Sequence, residues 1–229
     1  MSLAALLGVK PGLTALIGGG GKTTLLYALA EELKERGSVI VTTSTKIRVP
    51  EQLTVADPAT PEDLTAALAL HSPLCLGSTW PEGKLAAPSL PFRVLVEASD
   101  FVLVEADGSK GLPAKAHAVH EPVIPAEAGR VLLVLGADAF GRPIREVCHR
   151  PELYAERAGV PMETLLTPAL AAEVISSEDY GNIIYVNKCE SPADWNNAAA
   201  LASLLPIPVV AGSLWEHVVQ PLTTNHYKL

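Results

Sequence analysis

Residues 16–24 read LIGGGGKTT, four consecutive glycines followed by Lys22-Thr23-Thr24. A phosphate-binding loop wraps consecutive backbone N–H groups, free of Cβ crowding, around an anion at a helix N-terminus whose dipole favours negative charge. The usual spacing of such a loop, G-x-x-x-x-G-K-[ST], would open on a glycine where this chain has Leu16. The flanking residues therefore decide the reading. Leu13 to Ile17 is a short apolar run after Pro11-Gly12, the pattern of a buried strand. Thr23 to Arg36 carries Leu25, Leu26, Leu29 and Leu33 at helical spacing, with Gly37 as a stop signal. SVIVTT at 38–43, apolar and β-branched, is a second buried strand. Strand, glycines, helix and strand follow one another directly, and a plain tight turn has no use for four residues that each cost conformational entropy.

The alternation continues along the chain. PEDLTAALAL at 61–70 reads as a helix and SPLCLGST at 72–79 holds a short strand, whereas 82–99 suits either irregular structure or a helix. Four further apolar runs, Phe101–Glu105, Val131–Leu135, Ile183–Val186 and Pro208–Ala211, are bounded by Gly, Asp, Asn or Pro. Between the last three lie helical patterns at 151–158, 167–175 and 191–205. Strands alternating with helices predict an α/β fold, a three-layer, mostly parallel sheet of the P-loop NTPase-like kind, as one domain over residues 1–229.

Composition narrows the function classes. With 229 residues and 48% hydrophobic content the chain can bury a large core. No apolar run reaches the roughly 18 residues that span a bilayer. MSLAALLGVKPG lacks the basic lead and the length of a signal peptide, so a cytoplasmic location is expected, without a membrane partner. Cys75, Cys148 and Cys189 show no C-x-x-C spacing and read as buried thiols rather than a disulfide framework. A net charge of −8 argues against broad nucleic-acid binding, and a polyanionic small ligand needs a local cationic site.

The chemistry follows from the loop. Gly18, Gly19, Gly20, Gly21 and Lys22 are expected to cradle the phosphates of ATP or GTP, with Thr23 and Thr24 at the start of the helix. Mg²⁺ needs a carboxylate at a neighbouring strand end, and FVLVEADGSKG at 101–111 supplies Glu105 and Asp107. Thr23 and Asp107 are assigned to the metal, with Glu105 as helper or water-orienting base. The pattern D-x-x-G is not met, since Lys110 stands in its last place. Lys22, Glu105, Asp107 and Lys110 form the candidate catalytic set. Lys46, Lys110 and Lys115 all follow strand ends and can line an anionic-substrate pocket, or be ordinary solvated lysines. His117, His120 and Glu121 in KAHAVHEPVIP, with Cys148-His149, fit a structural or substrate-facing loop better than a zinc site. IIYVNKCESPAD at 183–194 sets Asn-Lys-x-acidic after an apolar strand, like the guanine-reading N-K-x-D, and ahead of a Ser191 cap with Pro192 and Asp194. Asn187, Lys188 and Glu190 are expected against the base, with 211–213 closing the pocket. The longer Glu190 in place of Asp predicts at most a modest preference for GTP over ATP.

Two resemblances add to this. The clustered glycines resemble the deviant P-loop form G-G-x-G-K-[ST]-T, although Ile17 stands where that form carries a second lysine. More of the chain, through GGGGKTT, TTSTKI followed by Pro50, VEADGSKGLPAKA, HEPVIP, LGADAFGRPI and HRPE at 149–152, resembles the YqeC family, accessory proteins of selenium-dependent hydroxylases that are also called selenium cofactor biosynthesis proteins. The resemblance implies a P-loop protein that serves the maturation of molybdenum hydroxylases needing selenium. On that reading an NTPase or small-molecule kinase would use Lys110, Lys115 and Arg150 to face an anionic, selenium- or molybdenum-containing acceptor. A non-catalytic nucleotide switch, or a cofactor-carrying chaperone that binds the hydroxylase, has the same motifs.

Overall fold

The computed structural model describes residues 1–223. The first half of the chain runs α1 (Leu3–Leu6), β1 (Gly12–Gly18), α2 (Lys22–Leu33), β2 (Val39–Thr43), β3 (Lys46–Arg48), β4 (Thr54–Ala56), α3 (Pro61–Leu70), β5 (Leu74–Leu76), β6 (Ser78–Trp80), β7 (Lys84–Ala86), α4 (Phe92–Ala98) and β8 (Phe101–Glu105). The rest runs β9 (Ala114–Lys115), β10 (Ala128–Gly136), a 3₁₀ turn at Ala137–Ala139, α5 (Ile144–Val147), β11 (Cys148–His149), α6 (Pro151–Arg157), α7 (Pro168–Glu178), β12 (Ile183–Asn187), α8 (Pro192–Leu204), β13 (Val209–Ser213) and β14 (Val218–Pro221). The fold is α/β with a mostly parallel sheet. Residues gather into two compact units, one of Met1–Leu16, Thr23–Gly108 and Pro122–Val131, the other of Ile17–Lys22, Ser109–Glu121 and the chain from Leu132 onward.

In the first unit the parallel order is β1-β8-β2-β5-β4. Every residue of β2 and β8 is buried, so both faces of these strands are covered and their sequences read as unbroken apolar runs rather than alternating ones. Leu25, Leu26, Leu29 and Leu33, one stripe of α2, are buried in this core. Glu105, the last residue of β8, stands level with Leu16 of β1 on one side and Thr43 of β2 on the other. The carboxylate thus sits at the C-terminal edge of the strands, where ligands bind in open parallel sheets. The helix after the glycines ends at Leu33 rather than Arg36, because the Arg36 N–H turns onto Leu33 O (2.8 Å) in a tighter turn ahead of Gly37. The ambiguous stretch at 82–99 resolves into β7, part of a separate antiparallel sheet β3-β7-β6, and α4, which starts directly after Pro91.

In the second unit β10, β12 and β13 are parallel and β14 pairs antiparallel with β13. Gly136 of β10 is level with Asn187 of β12, so two strand ends finish side by side. All five residues of β12 and of β13 are buried. α8 starts with a reciprocal cap: Ser191 Oγ accepts from Asp194 N, and the Asp194 carboxylate accepts from Ser191 N at 2.8 Å. β9 and β11 form a two-stranded parallel sheet, pairing Ala114 with Cys148 and Lys115 with His149.

The three cysteines are free and buried, and burial pushes each thiol up to about 12. A thiol needs its thiolate form to react. At about pH 8 the folded protein should therefore leave Cys75, Cys148 and Cys189 unmodified by iodoacetamide, with all three alkylated together only through the unfolding transition. Alkylation of any of them in the native protein at the rate of a free peptide thiol would contradict the burial.

Candidate functional site

The glycine loop rests on backbone rather than on side chains. Gly19 N donates to Val134 O (2.9 Å), Gly20 N donates to Leu112 O (3.1 Å), and Gly136 N donates to Pro113 O (2.9 Å). These bonds knit the loop, the Leu112–Pro113 segment and the end of β10 together. A Cβ on Gly19 would lie 2.5 Å from Leu112 O and 2.8 Å from the Pro113 carbonyl carbon. Gly20 has φ +74°, and a Cβ there would overlap the Gly136 backbone. Backbone-to-backbone approach thus explains why glycines stand side by side here. It also narrows the cradle, because the N–H groups of Gly19 and Gly20 already serve the fold. The N–H groups that open α2, from Lys22 onward, stand at the helix end whose dipole favours an anion. Lys22 is buried, and its Nζ donates to Gly18 O (2.6 Å) and reaches Ser109 Oγ (3.4 Å).

Within the first unit, Thr23 Oγ1 donates to Glu105 Oε2 at 2.8 Å. Thr43 Oγ1 (2.8 Å) and Ser44 N (3.2 Å) both donate to the main-chain oxygen of Glu105, which fixes the strand end that presents this carboxylate. Asp107 lies two residues on and is completely buried, while Thr24 is exposed. The hydroxyl that the sequence pairs with Asp107 through the metal is therefore in direct contact with Glu105. A hydroxyl and two carboxylates are hard oxygen donors of the kind Mg²⁺ takes. No group of three or more His, Cys, Asp or Glu among the described residues could hold a metal alone, so protein oxygens fit Mg²⁺ only as a partial shell completed by phosphate and water.

At the end of β12, Asn187 is buried and fully employed. Its Nδ2 donates to Gly20 O (2.9 Å), and its Oδ1 accepts from Tyr185 Oη and Leu214 N, both at 3.4 Å. It braces the glycine loop, a role that the four-letter motif does not announce. Lys188 has a left-handed backbone (φ +63°), and its Nζ donates to Asp138 Oδ2 (2.8 Å). Glu190 Oε1 accepts from Ser213 Oγ (3.0 Å), and Cys189 N donates to Gly212 O (3.0 Å). The segments at 187–190 and 211–213 therefore meet, as the parallel pairing of β12 and β13 requires.

The remaining cations separate. Lys46 stacks its Nζ 3.7 Å from the Trp80 ring centroid. Lys115 Nζ lies 2.5 Å from Glu121, which Arg150 reaches at 3.1 Å, and exposed Lys110 acts on His149 electrostatically. His149 is held below the usual imidazole range by burial first, then by Lys115 and Arg150. His117 belongs elsewhere: its Nδ1 lies 2.5 Å from Glu178 Oε2, its N–H donates to the same carboxylate (2.8 Å), and Arg157 bonds both Glu178 and His117 O. No spacing in the sequence links His117 to Glu178, 61 residues away.

If Asn187 braces the loop, Asn187→Ala should lower stability by about 1–3 kcal/mol, the cost of buried partners left unsatisfied. It should also speed amide hydrogen exchange across residues 18–22. Exchange there at the wild-type rate, in a folded variant, would reduce Asn187 to a strand-end residue.

Comparison with known proteins gives the site a lineage. A sequence profile of the YqeC protein family matches residues 14–152, a span holding the glycine loop, both carboxylates and Arg150. The protein described as "Uncharacterized protein YqeC" from Escherichia coli (strain K12) is 34% identical over 179 residues, covering 72% of this chain and 68% of that one. Among solved structures, the signal recognition particle 54 kDa protein from Aeropyrum pernix K1, in complex with GDP, is similar at 15% identity and a TM-score of 0.41. That similarity covers 93% of this chain, which spans 44% of the other's length, and at this score the likeness carries no weight for fold or ligand. The matches over the glycine loop and the motifs that follow it show that this chain belongs to the YqeC family.

Proposed function

We propose that the chain binds a Mg²⁺-nucleoside triphosphate at the glycine loop and hydrolyses it, or transfers its γ-phosphoryl group, as an accessory factor in the maturation of selenium-dependent molybdenum hydroxylases. One observation carries the nucleotide part: a strand–glycine–helix junction in which Lys22 is buried over the loop while the next residue, Thr23, donates to a strand-end carboxylate. The hydroxylase context rests on the family resemblance alone.

In this reading the N–H groups that open α2 receive the phosphates and Lys22 leaves Gly18 O for a phosphate oxygen. Thr23, Glu105 and Asp107 supply the protein oxygens for Mg²⁺, which when bound neutralises charge on the phosphates. Glu105 joins the metal side because its carboxylate already holds the Thr23 hydroxyl. Glu190 and Ser213, joined by a hydrogen bond, offer a carboxylate edge to the base, and Lys188 precedes Glu190 by two residues.

Lys22→Ala should weaken nucleotide binding by about 10- to 100-fold, matching about 1.5–3 kcal/mol for a hydrogen bond to a charged group. Equal titration curves for folded wild type and variant would remove the loop from nucleotide binding. Phosphate release separates the carboxylates. If Glu105 serves Mg²⁺, Glu105→Gln should abolish Mg²⁺-dependent turnover while sparing much of the nucleotide affinity. Wild-type turnover in Glu105→Gln with loss in Asp107→Asn would return the role to Asp107. For the base, competition with GTP, ATP and CTP should show at most a modest preference for GTP that Glu190→Ala erases, and an unchanged order in the variant would exclude this edge from base reading.

A further inference from the structure

Three family-bearing stretches that the nucleotide site does not absorb, GLPAKA, His120-Glu121 and HRPE, converge in the second unit. The β9–β11 pairing sets Lys115 and His149 level with each other on adjacent strands, and Ala116 N donates to His149 O (3.2 Å), so the register is held at both residues. The Lys115 side chain is entirely buried, and the Glu121 carboxylate lies 2.5 Å from its ammonium group. Arg150, the residue after His149, brings a guanidinium nitrogen to 3.1 Å from the same carboxylate and to 3.4 Å from His120 Nε2. Its Nε is buried with no hydrogen-bond partner. Two cations thus converge on one carboxylate, and one of them keeps a donor unused. Burial does most to lower the proton affinity of His149, and Lys115, Arg150 and Lys110 lower it further while Glu121 opposes them.

We propose that this cluster is a second anion site, in which the oxyanion or carboxylate group of a small ligand takes the place of Glu121 between Lys115 and Arg150. Glu121 is the internal occupant of the site. It comes from a loop rather than a strand or helix, next to exposed His120 and fully exposed Val119. A loop carboxylate can turn aside without moving a strand or helix, and the buried lysine and the guanidinium it leaves then require another anion in its place. Arg150 presents the planar fork that matches either a carboxylate or a tetrahedral oxyanion. A small cavity lined by Gly18, Lys115 and His117 sets the buried end of Lys115 near the start of the glycine loop. Identifying the ligand as the phosphoryl acceptor rests on the nucleotide reading; anion binding itself does not.

The test uses the full chain carrying Lys22→Ala, so that the glycine loop does not compete, with inorganic phosphate and acetate as probes and chloride as the control. Binding is followed by calorimetry and by the side-chain NMR signals of His149. Phosphate or acetate should perturb His149, and Glu121→Gln should tighten the binding of the preferred probe about tenfold by removing the internal competitor. Arg150→Gln should abolish it, and Arg150→Lys should restore part of it as a point charge without the fork. Lys115, the wholly buried member of the pair, is left unchanged, and circular dichroism confirms that the Glu121→Gln and Arg150 variants are folded before binding is compared. Binding that Glu121→Gln does not strengthen, binding that survives Arg150→Gln, or binding seen only when Lys22 is present would each overturn the second site. Loss of nucleotide binding in Lys22→Ala, with phosphate or acetate still bound at His149, leaves both the nucleotide site and this one standing.

Discussion

The closest constraint in the molecule is the approach of the glycine loop to two other stretches of main chain. Gly19 and Gly20 bond to Val134 O and Leu112 O, and Gly136 closes the set on Pro113 O. Side chains larger than hydrogen at Gly19 or Gly20 would push these backbones apart. The loop therefore keeps its shape through its surroundings, and Asn187 adds a side-chain brace to Gly20 O from β12. A flexible run of glycines takes one fixed shape because its own N–H groups are partly used on the fold.

That constraint also links chemistry that the sequence scatters. Leu112 and Pro113 carry the loop, and Lys115, two residues later, is the buried cation of the Glu121–Arg150 cluster. The segment ends in β9, which is held by β11, and the next residue but one, His117, is held by Glu178 and Arg157.

Much of the fold is legible in the sequence because its strands are buried on both faces. Leu13–Ile17, Phe101–Glu105 and Ile183–Val186 are bare apolar runs, and the structure extends each by at most one residue at either end. The helix at 61–70 is read to the residue, since Thr60 caps it and Pro61 starts it. What escapes is short or antiparallel: β3, β6, β7, β9, β11 and β14 contain two to four residues each, too few for any period to show. In the site, the glycines, Lys22 and the strand-end acids are legible because chemistry demands those types in that order. The contacts that define their roles, Thr23 with Glu105 and Asn187 with Gly20, join residues 82 and 167 positions apart. No spacing rule reaches that far, and only the register of neighbouring strands brings them together.

In the Asn-Lys-x-acidic stretch the asparagine serves the fold. Asn187 spends its carboxamide inside the protein, on Gly20, Tyr185 and Leu214. Glu190 is exposed, and its carboxylate is oriented by Ser213. Ser213 is itself held: it is fully buried, and its Oγ accepts from Glu216 N (3.2 Å). The extra methylene that makes Glu190 less rigid than Asp is thus partly compensated by a fixed partner on the neighbouring strand end. The distance between the two segments is set by the parallel pairing of β12 with β13, from the core outward.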